Sequence, residues 1–338
     1  MKGLKTISLL LFMALFAYAG YAQDKADAIT AYNAGLEQAK GKDFEAAISS
    51  FTQAATIADG LGADGTDIKS RSEKQIPKMY YQKALVAFKS FQSSKNVADL
   101  DQAIAQFDEA SGVATEYGDD ALSKRISGVM PQLYYQKSVK QLQAGDAQSA
   151  DASVSKALEM NSNYALAYYQ KALVHKNLNE ADLDGMVTFL DQAIQVGEAT
   201  RKNQVVRRAK AKAHDELLFA GAKQIETRNF SKSLELLNKA LAYDAESADV
   251  YYRIAEASNQ QGSYDKAIQN ATQALQFEKG GRTDKAKIYF ELGLAHQAKD
   301  NKGPACEALK NASYGSFKAP SEHKMEFELK CKTAAPGN

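Results

Sequence analysis

Residues 248–277, ADVYYRIAEASNQQGSYDKAIQNATQALQF, carry apolar residues three and four apart on both sides of Gln260, Gln261, Gly262 and Ser263. That period puts them on one face of each of two amphipathic helices joined by a tight turn. One such hairpin cannot bury its apolar face alone, so its recurrence along the chain is what constrains the fold. Seven copies can be read in register. Their first helices place a small residue at Gly35, Ala84, Ser138, Ala172, Gly221, Ala255 and Gly293. Their second helices do so at Ala47, Ala103, Ala150, Met186, Ser233, Ala267 and Ala305, and again at Ala54, Ala110, Ala157, Ala193, Ala240, Ala274 and Ala312. Small side chains let helices pack at about 8 Å. Met186 and Ser233 depart from the alanine pattern.

Tyr251, Ile254, Ala255, Gly262, Tyr264, Ala267 and Ala274 closely resemble the tetratricopeptide repeat, a unit of about 34 residues. The family usually has Trp where Tyr251 stands, and this chain contains no Trp. The resemblance covers nearly all of residues 28–317. It implies an all-α, right-handed superhelical solenoid of about seven helical hairpins, a scaffold that binds rather than catalyses. Five Pro beside abundant Ala, Leu, Gln, Lys and Glu agree with helix throughout. A second period supports one continuous solenoid: Ala98-Asp99-Leu100-Asp101 matches Ala181-Asp182-Leu183-Asp184, and Lys156-Ala157-Leu158 matches Lys239-Ala240-Leu241 at the same separation.

Insertions follow the first, second and fourth copies, such as residues 59–75 and 116–129. Pro77 and Pro131 precede Tyr80-Tyr81 and Tyr134-Tyr135. They suit a first helical turn, or a kink if the insertion lengthens the helix, which is the expectation here. Residues 322–332 predict a last amphipathic helix that covers the open end of the stack, within a capping segment at 318–338.

Residues 1–22 start with Lys2 and Lys5, run through an apolar stretch and end Gly20-Tyr21-Ala22. This pattern predicts a secretory signal peptide, cleaved after Ala22 or, second, after Ala19. No Cys lies near that point to carry a lipid anchor. The expected destination is the periplasm or the extracellular medium, without membrane insertion after cleavage. Without Lys2 and Lys5, 40 basic residues face 41 acidic ones. No long-range field then draws in nucleic acid or an anionic membrane, and the basic run from Arg201 to Lys212 reads as a solvated helix face.

Motifs for chemistry are sparse. Gly60, Gly62 and Gly65 have dinucleotide-loop spacing but follow a helix rather than a strand, so they read as a connector. Asp59, Asp64 and Asp67 match no calcium loop. His175, His214, His296 and His323 are isolated, with no metal-binding spacing. Glu246-Ser247 is similar to the catalytic dipeptide of helical lytic transglycosylases but lacks the glycine-rich segment expected downstream. The expectation is no enzyme, no cofactor and no metal. Tetratricopeptide proteins that clamp a carboxylate use Lys and Asn where this chain has Tyr32 and Leu36, so that clamp is not expected.

Two groups of residues remain as candidates. Cys306 and Cys331 lie on the last two predicted helices, whose antiparallel packing would allow a disulfide in an oxidising compartment. Doubled aromatics recur at the start of the first helices, and adjacent residues on a helix point about 100° apart. In the family register the second member faces the concave groove. Tyr32, Tyr81, Tyr135, Tyr169, Tyr252 and Phe290 then form an aromatic ladder for a protein or peptide partner, interrupted at Leu218. The rival functions are a glycan-binding helical protein of the outer membrane and an envelope spacer or assembly factor.

Overall fold

A computed structural model describes residues 25–331. The expected signal peptide at 1–22 and the end of the expected capping segment lie outside the described residues. Among those described there is no strand, and no helix is long and apolar enough to cross a membrane. The described residues form two compact units, divided between residues 140 and 141.

The first unit contains α1 (Lys25–Lys40), α2 (Phe44–Gly60), α3 (Thr66–Glu73), α4 (Ile76–Ser94), α5 (Val97–Glu116) and most of α6 (Asp120–Gln143). Its cores gather around Phe51, where α1 packs on α2, and around Phe107, where α4, α5 and α6 meet. The second unit contains α7 (Ala147–Met160), α8 (Ala165–Leu178), α9 (Leu183–Ala199), α10 (Asn203–Glu226), α11 (Phe230–Leu241), α12 (Ala248–Gln260), α13 (Tyr264–Phe277), α14 (Arg282–Ala298), α15 (Lys302–Ala312) and α16 (Lys318–His323). Its hairpins α8/α9, α10/α11, α12/α13 and α14/α15 each pack internally. The unit boundary falls inside the third sequence copy, whose two helices are α6 and α7.

The small residues sit where the repeat requires them, and all of those named above are buried. At Gly221 a Cβ would meet Leu237 Cγ at 2.7 Å, so α10 and α11 are as close as that crossing allows. The hairpin turns are set by local chemistry. Asp43, Asn96, Asp146, Asp182 and Asn229 each accept a backbone N–H three residues on, capping α2, α5, α7, α9 and α11. Just before four of these caps, all but Asp182, the chain passes through a left-handed residue: Lys42, Lys95, Gly145 and Arg228, with Gly262 and Asp300 doing the same before α13 and α15. Glycine is the residue that adopts this region without strain, yet four of the six are Lys, Arg or Asp.

The insertions behave differently from one another. After the second and fourth copies the first helix is lengthened as expected, into the 24-residue α6 and α10. Pro131 lies inside α6, whereas Pro77 sits in the first turn of α4, where its missing N–H costs nothing. After the first copy the lengthened helix does not form. A short 3₁₀ turn at Gly62–Gly65 and the separate α3 take its place. At Gly65 the backbone presses on α2 so closely that a Cβ would collide with the Ala58 carbonyl, so only glycine fits this turn. The last helix also differs from expectation: it begins at Lys318, and Lys324–Glu328 continue it as a π-helix. Leu329 N–H reaches back to Lys324 O at 2.9 Å in the wider i→i+5 spacing.

Candidate functional site

A cleft of about 670 Å³ belongs to the first unit and lies among α4, α5 and α6. Its floor is aromatic. Phe107, 1% exposed, receives the edge of Tyr81 at 5.9 Å between centroids and of Phe88 at 6.5 Å. Leu85, Phe91, Val129, Leu133 and Val139 extend the apolar wall. Tyr81 and Tyr135 both line it, half-buried. Tyr80, the other member of its doublet, turns into the cores on either side. Burial, and then the nearby Glu109 carboxylate, push its hydroxyl pKa up.

A second cavity, about 600 Å³, lies within the second unit among α10, α12, α14 and the segment after α15. It is lined by Asp215, Leu218, Phe219, Ala222, Asp249, Tyr252, Arg253, Lys287 and Phe317. Tyr252 is largely buried beneath two cations: the Lys287 ammonium at 5.0 Å and the Arg253 guanidinium at 5.1 Å from its ring. Burial, reinforced by Glu256, pushes its hydroxyl up to about 12. Phe219 stands 69% exposed at the rim. Lys287 pairs with Asp249 at 2.5 Å and Arg253 with Glu256 at 2.7 Å.

The six ladder residues therefore divide. Tyr81 and Tyr135 share one cleft, and Tyr252 lines the other cavity. Phe290 stands beside that second cavity, its ring 5.3 Å from Phe317. Tyr32 is buried against Phe51 and covered by the Arg71 guanidinium at 4.6 Å. Tyr169 carries Arg208 over its ring, also at 4.6 Å. Leu218, the expected gap in the ladder, is itself a cavity residue. Sequence reasoning passed over Phe219 and Phe317. The first directly follows Leu218, the register position, and was within reach of the pattern; the second lies beyond the last copy, where no register applies.

The other candidates fall elsewhere. Cys306 and Cys331 form a disulfide pair with Cα atoms 5.8 Å apart, joining α15 to the segment after the π-helix. The four histidines stay apart: His175 meets Asp182 at 2.9 Å, His214 bridges Asp215 and Ser247, His323 lies near Glu328, and burial lowers the pKa of His296. Ser247 is the N-cap of α12, so the Glu246-Ser247 pair serves a helix start. No group of three or more His, Cys, Asp or Glu suited to a metal ion occurs among the described residues.

The tetratricopeptide repeat model matches residues 248–280, the unit from which the sequence pattern was read. That segment is a tetratricopeptide repeat, and the small-residue crossings extend its pattern along the all-α chain. Solved structures similar to the chain include MamA from Desulfovibrio magneticus RS-1, 20% identical, covering 54% of this chain and 93% of that one with a TM-score of 0.33. YrrB, described as a TPR protein with an unusual peptide-binding site, is 16% identical over 62% of this chain and 97% of its own, TM-score 0.35. The TPR2AB domain of yeast Sti1, in a pHSP90 complex, is 15% identical over 91% of this chain and 97% of its own, TM-score 0.30. No curated protein matches the chain.

Proposed function

We propose that this protein is a non-enzymatic interaction scaffold that holds a protein or peptide partner, and that it works in the cell envelope after export to the periplasm. The observation that carries the reading is the first-unit cleft, where Tyr81 and Tyr135 from successive first helices converge on an apolar floor. Tyr brings a large contact face and a hydroxyl at low entropy cost, the combination favoured at contact hot spots. Export is supported by the basic and apolar pattern of residues 1–22 and by the Cys306–Cys331 pair, which suits an oxidising compartment. The test is capture from a native envelope extract with wild type and the Tyr81→Ala/Tyr135→Ala variant. Partners retained by wild type should be lost by the variant while its circular dichroism and melting temperature stay nearly unchanged. Capture that survives in a variant that melts much earlier would assign the two rings to the core and remove the reading.

A further inference from the structure

The polar part of the first-unit cleft is as selective as its floor. Lys95 and Lys140 are the only charged residues lining it, and neither makes an ion pair among the described residues. Two lysines on the same helices are paired across to neighbouring helices, Lys83 with Glu45 at 2.5 Å and Glu109 at 3.6 Å, and Lys137 with Asp101 at 2.7 Å. No carboxylate lines the cleft, so the charges of Lys95 and Lys140 are open to a ligand there. Gln92, Gln132 and Gln136 also line it, and no hydrogen bond engages their side-chain amides among the described residues. A side-chain amide both donates and accepts, which matches the N–H and C=O that every peptide unit presents. A hydrocarbon chain would itself offer none of the three amides a partner.

We infer that this cleft takes an extended acidic segment of a partner protein, one apolar side chain resting on the Tyr81 and Phe107 floor and its Asp or Glu carboxylates held by Lys95 and Lys140. The inference rests on the reading of the cleft as a peptide site and adds the chemistry of the peptide. The three glutamines hold the backbone. The lysines select sign, an effect that is strongest at low salt, where exposed charges are least screened.

The experiment uses the full chain and three short fluorescein-labelled peptides with identical Leu and Phe positions, the intervening residues being all Asp, all Ser or all Lys. Anisotropy titration at low salt should rank them Asp, Ser, Lys. Two solvent-accessible ion pairs together make the first step about tenfold, ~1.4 kcal/mol. Raising the salt should shrink that step, and Lys95→Glu/Lys140→Glu should reverse the order. If the reversed variant does not fold, Lys95→Gln/Lys140→Gln should abolish the preference. Equal binding of all three peptides, lost on Tyr135→Ala, would overturn the charge inference and leave the peptide site standing. Failure of all three to bind would overturn both, and displacement of a fluorescent fatty acid in their place would assign the cleft to an acyl chain.

Discussion

The two cavities are walled by helices of the same kind of hairpin, yet they treat charge in opposite ways. The first-unit cleft has an apolar floor and two lysines with no carboxylate on its lining. The second-unit cavity sets Asp215 and Asp249 against Arg253 and Lys287, with Lys287 paired to Asp249 and lying over Tyr252. A helical repeat fixes where helices cross through its small residues, and it leaves the outward positions of the first helices free to vary. Site character in this chain therefore comes from those outward positions, while the crossings carry the stability common to both units.

The largest effect should come from the floor of the first cleft. Phe107 is 1% exposed and joins α4, α5 and α6 in one core. Phe107→Ala should cost about 3–5 kcal/mol, as large-to-small changes in packed cores do. Amide exchange should then rise across residues 76–140 while protection around Leu237 and Ile288 is retained. A uniform loss of protection through both units would mean that they unfold as one and would break the comparison.

A smaller effect separates the units by pH. Glu291 on α14 is only 9% exposed, and its Oε2 accepts from Asn259 Nδ2 at 2.7 Å. Burial is the main cause that raises its pKa to about 7, with Glu256 adding to it and the Asn259 hydrogen bond opposing it. The folded state therefore holds this proton more tightly than the unfolded chain, whose Glu titrates near the ordinary value of about 4.3. Its contribution is fully present below that value and is lost as pH rises to about 7, a change on the order of 3 kcal/mol. Glu291→Gln keeps an acceptor for Asn259 and removes the buried charge. It should raise the melting temperature at pH 8 and flatten the profile between pH 5 and 8. A variant that melts lower than wild type at pH 8 would show that the charged form is stabilised in place.

How far each unit was legible in the sequence follows from the same division. The crossings at Gly35, Gly221 and Gly293 could be read because the closeness of two backbones restricts residue size directly. Tyr81 and Tyr135 could be singled out only through the repeat register, because helical phase says that the two members of a doublet diverge and not which of them lines a cleft. The covering of Tyr32 by Arg71 and of Tyr169 by Arg208 could not be read, because long side chains from other helices choose their partners only in three dimensions. The turn at Lys95 was equally hidden, since the chain takes φ 59° there with Lys in place of the Gly or Asn that would announce it. The close approach of Gly65 to the Ala58 carbonyl between α2 and α3 is a contact that no periodicity reports.

The smallest effect tests whether charge alone distinguishes the two cavities. Asp215 and Asp249 are the carboxylates on the second cavity, and Asp249 neutralises the Lys287 ammonium. Asp215→Asn/Asp249→Asn leaves Arg253 and Lys287 as its only charged lining residues, the pattern of the first cleft. Arg253 keeps its bond to Glu256, so the new cationic character rests chiefly on Lys287. One partly exposed pair contributes ~0.2–1 kcal/mol, so acidic peptide should bind this cavity at most about fivefold more tightly than in the parent. The titration belongs in a Tyr81→Ala/Tyr135→Ala background, where the first cleft is silenced, and the gain should fade with added salt. Asp249 also lies in the first turn of α12, where a carboxylate favours the helix, so the melting temperature should fall slightly. A gain that salt does not weaken would point to packing against Phe219 and Phe317 rather than charge, and the distinction between the two cavities would then lie in shape.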